Sequence, residues 1–400
     1  VVGLLLGIGA GCAEEYRGKP PLTGALHYPL SLAVDEGSGT LFVVNTNFNL
    51  AYEMASILTV DVATGDFGDP YVTVESFPGD LLLVHRTDDL AFGYIPVRGN
   101  NSLTWFEIDR KAKGSLEMLC NEARDVLDPR CRGRYVVTRG MVAVPDSDDQ
   151  QNLTLGSDPY GQAWIPGRLG QKDLLVVAAM RSGRISLFEL QEDGEPVLVD
   201  QRTLLSGIHS LAADPAGELI YVTNKSYPVV HRLQVRRTLT STTLEIVDAA
   251  TLPAPFTTGD FGRGIAFARG GKTVLVAHRN PAALVALDAS LRPGQFGGTP
   301  TQVTPVGRRP ASVMVVPSGP EGSERVYVSC FDDDRVWVLD PQTMLALESI
   351  WVGEGPYAMA ALVNDTTKKG FVSNFLDNTV SVIDLDSGSD TYHTVIGEIQ

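Results

Sequence analysis

A chain of 400 residues with 32 Lys and Arg against 48 Asp and Glu carries a formal net charge of −16, which disfavours nucleic-acid backbones and bare anionic membranes as partners. An apolar share of 44% and a charged share of 20% describe a globular chain, long enough for one repeat-built domain or two conventional ones. The 40 glycines and 24 prolines are spread along the chain, which favours many short strands with frequent turns over a helix-rich fold.

The first eleven residues, VVGLLLGIGAG, are too short to span a bilayer and have the character of a signal-peptide apolar region. With no initiator Met and no basic region ahead of it, this stretch is expected to lie inside a longer precursor. Gly9-Ala10-Gly11-Cys12 resembles the bacterial lipobox, in which small residues precede a cysteine that receives lipid; Gly9 stands where Leu is usual. An ordinary secretory signal with an incidental Cys is the alternative, and either one exports the protein. Ala13 after the cysteine resembles lipoproteins sent to the outer membrane. The expected organisation is therefore a signal end with lipidation at Cys12, a tether over residues 13–26 stiffened by Pro20 and Pro21, and a repeat domain over 27–400. Membrane attachment is expected only through the lipid.

From Tyr28 onward, short apolar runs recur. The clearest copy is GFVSNFLDNTVSVID (370–384), two alternating strands about a polar turn, and such a hairpin buries its apolar face only against neighbours of its own kind. Seven copies follow one another, at 31–76, 80–109, 162–201, 210–249, 264–306, 311–352 and 357–399, each with about four strands. Four strands at this spacing predict an all-β chain folded as a seven-bladed β-propeller. The second strands VVAAM, VLVAH and VYVSC are almost continuously apolar, as expected of strands buried on both faces. Closure of the ring is open between completion by the N-terminal segment and side-chain packing.

YVTN at 221–224, its variants FVVN (42–45), YVSC (327–330) and FVSN (371–374), and the turns Tyr28-Pro29, Arg309-Pro310 and Gly355-Pro356 together resemble the YVTN-repeat family of seven-bladed propellers. The resemblance covers nearly everything from residue 27 to the end. It implies a fold more than a function, since relatives include surface proteins, lactonases and substrate domains of redox enzymes.

Two regions depart from the repeat. Residues 111–157 form an insert that replaces the outer strand of the second copy with a helical-looking stretch, SLEMLCNEARDVLD, followed by a short strand and the polar loop DSDDQQN. The loop NTNFNLAYEMA (45–55) is long for a hairpin. In an exported chain Cys120 and Cys131 are expected to form a local disulfide, two free thiols being the alternative, and Cys330 in VYVSCF is expected to be buried and inert.

In a propeller, the turns leading into each first strand and those joining the second and third strands gather at one mouth of the channel. The first set supplies Tyr28, Phe77, Asp158, His209, Arg263, Arg309 and Tyr357. The second supplies Asn45, Asn47, Arg98, Arg181, Asn224, Lys225, His278, Arg279, Asp332 and Asn374. Cations are over-represented in this set although the chain is acidic, which suggests a funnel that clamps a carboxylate or phosphate, with Arg263 and Arg309 as bidentate donors. The alternative is that these cations pair with neighbours such as Asp260 and Asp332 and hold blades together. His209 and His278 could act with Asp158 or Asp332 as acid and base or as metal ligands, or simply be satisfied histidines. The acidic runs at 146–149 and 332–334 lack the spacing of a calcium loop and read as solvated turns. No zincin, haem-attachment, nucleophile-elbow or phosphate-loop motif occurs, so no catalytic residue, metal or cofactor is assigned. These readings describe an envelope-anchored, non-catalytic propeller lipoprotein of the outer membrane, a monomer or complex subunit, presenting a binding face to a protein, glycan or small anionic ligand. The alternatives are a structural subunit of an envelope complex or a lactonase-like hydrolase.

Overall fold

The computed structural model describes residues 18–111, 115–143, 150–168, 170–238, 241–256, 260–296 and 299–400. Cys12 and the acidic run at 146–149 lie outside them. Seven antiparallel meanders of four strands follow in chain order, forming a seven-bladed propeller. Blade one runs from strand Pro29–Asp35 to Phe67–Val74, blade two from Leu82–His85 to Ser115–Leu119, blade three from Pro159–Ile165 to Pro196–Thr203 and blade four from Ile208–Ala213 to Thr242–Thr251. Blades five, six and seven run from Gly262–Ala268 to Gln302–Pro305, from Pro310–Val316 to Ala346–Trp351 and from Pro356–Val363 to Val395–Ile399.

The apolar second strands form because each is sandwiched between two other sheets. Leu174–Ala179 and Thr273–His278 are buried at every position. The core is correspondingly a series of interfaces between neighbouring blades: Leu275, Ala277 and Leu284 of blade five pack with Val313, Val326 and Leu339 of blade six. Burial of this kind is worth roughly 25 cal/mol per Å² of apolar surface, and the whole ring shares it. The innermost strands approach so closely that a Cβ on Gly161 would lie 2.0 Å from the carbonyl oxygen of His209.

The ring closes by packing. Blades one and seven each supply all four of their own strands. Leu32, Leu41 and Val60 of blade one meet Leu362, Phe371 and Ile399 of blade seven in one apolar cluster. Two polar links reinforce the seam: the Tyr28 amide donates to Asn378 Oδ1 at 2.7 Å, and Lys369 Nζ donates to the Val62 carbonyl at 2.8 Å. Residues 18–26, expected as a tether, lie along blade one, where the Glu53 amide donates to the Lys19 carbonyl at 2.9 Å and Leu26 is buried.

The helical expectation at 115–128 is corrected. Ser115–Leu119 is the outer strand of blade two, paired from Lys111↔Ser115 to Glu107↔Leu119, so pairing with the sheet overrides local helix preference. The chain then turns about Asn121, whose Nδ2 donates to the carbonyls of Asp125 and Asp128 at 2.8 and 2.9 Å. The disulfide Cys120–Cys131 pins this loop, with Cα atoms 4.6 Å apart. The Cys131 amide donates to the Thr73 carbonyl at 3.0 Å, stitching the loop to the outer strand of blade one. A following hairpin, Arg139–Ala143 with Gln150–Thr154, reaches blade three, where Gln201 Nε2 donates to the Thr154 carbonyl at 3.0 Å. The insert therefore clasps the outer edges of three blades and covers strand edges that would otherwise be free. Among the described residues no helix is long and apolar enough to cross a membrane.

Candidate functional site at the channel mouth

One register governs the mouth in six of the blades. The first residue of the innermost strand pairs with the last of the second strand: Pro29↔Asn45, Pro159↔Ala179, Ile208↔Asn224, Gly262↔His278, Pro310↔Cys330 and Pro356↔Asn374, after which each pair of strands bulges. In blade two an isolated bridge, Pro78↔Val97, occupies the same place. The residue just ahead of this first pair has a left-handed backbone at Tyr28, Phe77, Asp158 and Arg309, with φ of 49°, 62°, 68° and 52°. Such a conformation costs about 1–2 kcal/mol for a residue with a side chain, offset here by the turn it permits.

The paired residues are latches. Asn224 donates to the Leu205 and Ser206 carbonyls and accepts from the Ser226 and Tyr227 amides. Asn45 accepts from the His27 amide and donates to Ser56, and Asn374 donates to Thr379 and Ser381. His278 is fully buried, its Nδ1 2.9 Å from the Pro281 carbonyl and its ring edge-on to Phe256 and Phe261. Burial holds its pKa below the ordinary histidine range. Asn47 donates to Tyr52 and Ser76 and shapes the long loop of blade one.

One residue further on, the side chains turn to the mouth. Tyr160, Arg263 and Tyr357 from the innermost strands and Thr46, Arg98, Arg279, Phe331 and Phe375 from the hairpin turns line a cavity of about 360 Å³, joined by Phe48, Phe77 and Arg309. Tyr160, Phe48, Phe331 and Phe375 are absent from the sequence-based set. Tyr160 occupies the same register as His209, Arg263 and Tyr357 but sits two residues past the turn residue Asp158. A Phe directly after YVSC and FVSN was the signal for the other wall. His209 stands behind Tyr160, with ring centroids 4.5 Å apart, and Lys225 is partly buried near Arg263. Arg181 is exposed and does not line the cavity.

Pairing of the cations is partial. Asp260 is shared, accepting from Arg263 Nη2 at 2.8 and 3.0 Å and from Arg279 Nη1 at 3.4 Å. Arg98 pairs with Asp158, and Arg309 reaches Asp332 at 3.3 Å while its guanidinium lies 5.5 Å from the Phe331 ring centre. Four arginines thus meet three carboxylates, with Lys225 nearby. Crowding shows in the protonation equilibria: burial and then the Arg263 charge hold both Arg279 and Lys225 below their ordinary ranges. Burial, followed by Arg263, Lys225, Arg279 and Arg98, pushes His209 well below the usual histidine range, so it is a neutral imidazole at neutral pH.

Beneath the cations, the hydroxyls of Tyr160 and Tyr357 meet at 2.7 Å. Asp80 lies on the channel side of blade two, its amide 3.3 Å from the Tyr160 carbonyl, and burial raises its carboxyl to about 7. The triple acidic run is occupied structurally: Asp332 pairs with Arg309, Asp333 with Arg308 at 2.6 Å, and Asp334 accepts from the Gly355 amide at 3.1 Å. Among the described residues no three His, Cys, Asp or Glu side chains are grouped to hold a metal ion. Cys330 is buried and its thiol is pushed up to about 12, an inert setting.

No protein-family model matches the chain, and no curated protein does. Its fold is shared with several solved structures. The periplasmic gluconolactonase of Pseudomonas aeruginosa superposes with a TM-score of 0.57 at 17% identity, covering 82% of this chain and 86% of that one. Hydrazine synthase of Kuenenia stuttgartiensis gives 0.59 at 14% identity over 92% and 98%, and a Lactobacillus plantarum protein gives 0.58 at 16% over 84% and 88%. The chain is a seven-bladed β-propeller similar in fold to these proteins.

Proposed function

We propose that this propeller binds a small anionic ligand at the channel mouth. The observation that supports it is the convergence of Arg98, Arg263, Arg279 and Arg309 on one cavity with fewer carboxylates than guanidiniums. Walls of packed protein exclude water and strengthen each donor's attraction for an incoming carboxylate or phosphate. Inorganic phosphate should raise the melting temperature of protein beginning at residue 13, and Arg263→Ala with Arg309→Ala should abolish that rise. An unchanged rise in the double variant would defeat the reading.

Lactone hydrolysis is the second reading, favoured by the neutral His209 and by Asp80 close to the paired tyrosines. Asp80 can exchange a proton near neutrality, His209 offers an uncharged imidazole behind Tyr160, and a structural neighbour is named a gluconolactonase. Turnover of gluconolactone above the spontaneous rate, lost in His209→Gln, would establish it; no turnover would leave binding as the function.

We further propose that the chain is an exported YVTN-repeat lipoprotein carrying lipid on Cys12. The Cys120–Cys131 disulfide supports export, since such bonds persist in oxidising compartments. Mass spectrometry of the mature product from the full precursor should find Cys12 at the N-terminus with lipid attached; an unmodified Cys12 would refute it.

A further inference from the structure

The mouth is divided by chemistry. Phe331, Phe375, Tyr28, Phe48 and Phe77 come from blades six, seven, one and two and form a continuous aromatic wall. Phe48 stands 5.4 Å from Phe375, 5.7 Å from Tyr28 and 6.4 Å from Phe77 between ring centres, and Phe375 stands 6.2 Å from Phe331. The arginines occupy the remaining arc, from Arg98 in blade two to Arg279 and Arg263 in blade five, with Lys225 of blade four partly buried near Arg263. Arg309, over the Phe331 ring, marks one junction of the two arcs.

Phe48 is 56% exposed, at the tip of the loop that departs from the repeat in blade one. An aromatic side chain held in that position, against three other rings and open to the cavity, provides a face on which a flat apolar group can stack. A sugar acid would instead place its hydroxyls against that wall, where few polar side chains are available to receive them.

We infer that the ligand is a small amphipathic anion, a planar aromatic carboxylate, whose ring lies on the Phe48–Phe375–Phe331 wall while its charge meets Arg263, Arg279 and Arg309. This rests on the anion-binding reading and narrows it. The cavity, about 360 Å³, is at the small end of ligand pockets, which fits a compound of one or two fused rings.

Calorimetric titration of the protein from residue 13 onward with 2-naphthoate, gluconate, 2-naphthamide and inorganic phosphate tests it. Naphthoate should bind at least about tenfold more tightly than gluconate, and the uncharged amide should lose about tenfold or more. Phe48→Ser, on an exposed loop and so compatible with folding, should weaken naphthoate about fivefold while phosphate binding stays unchanged. Gluconate equalling or exceeding naphthoate, or Phe48→Ser leaving naphthoate unaltered, overturns this inference while phosphate binding keeps the anion site standing. Absence of binding by all three anions overturns both.

Discussion

Neighbouring residues in the hairpin turns have opposite settings. Asn224, Asn374 and His278 are buried and bonded into the turns, whereas Phe375 and Arg279, one position later, line the cavity and Lys225 is partly buried near Arg263. The first set is buried in every blade, whether Asn, His, Ala, Val or Cys fills the place, because every blade must reverse its chain in the same way. The second is free to vary because the scaffold makes no demand on it, and its variation divides the mouth into a cationic and an aromatic arc. Sites in a repeat fold are therefore to be sought one residue beyond the repeat's most regular positions.

Substitutions on either side of that boundary should separate stability from binding. The largest effect is expected at Asp80, on the channel side. Its folded pKa of about 7 lies above the unfolded value of about 3.9, so the folded chain holds the proton more tightly. That contribution is fully present below about pH 4 and lost as pH rises to about 7. Asp80→Asn escapes the loss and should gain on the parent by up to about 4 kcal/mol between pH 4 and 8, then run parallel to it. Urea unfolding at several pH values measures this; a constant difference would show that Asp80 titrates normally.

Next comes the Asn224 latch. Asn224→Ala strands several buried partners and should cost about 2–3 kcal/mol in urea unfolding without altering phosphate affinity. Lys225→Met, next in the chain, removes a partly buried cation beside Arg263 and should leave stability within about 1 kcal/mol while weakening phosphate. If both variants changed stability alone, the boundary between scaffold and site would be misplaced. Smallest is the expectation at Cys330, a latch position. In protein from residue 13 onward its thiol should resist iodoacetamide at pH 8 until urea is added, whereas modification of the native state would mean that blade six opens readily.

The propeller was legible because a four-strand period repeated seven times leaves few alternatives, and the near-continuous apolar second strands already implied burial on both faces. The lead-in and hairpin turns were legible as a region too, and six of the residues they named, Phe77, Arg98, Arg263, Arg279, Arg309 and Tyr357, do line the cavity. The bulge after each first pair was not legible, since it leaves the hydrophobic pattern unchanged while deciding which side chain points inward. That one-residue ambiguity admitted Asn224, Asn374 and His278 and passed over Tyr160 and Phe375. The stretch at 115–128 looked helical because its apolar residues also fit a helix; the pairing available along strand Ser102–Lys111 decided otherwise.

Hydrogen–deuterium exchange with and without 2-naphthoate locates the binding site most directly. Protection is expected in the turns carrying Thr46 to Phe48, Arg98, Arg263, Arg279, Arg309, Phe331 and Phe375, with none in the outer strands. Protection confined to the insert hairpin Arg139–Ala143 with Gln150–Thr154, or to the blade exteriors, would contradict a site at the mouth.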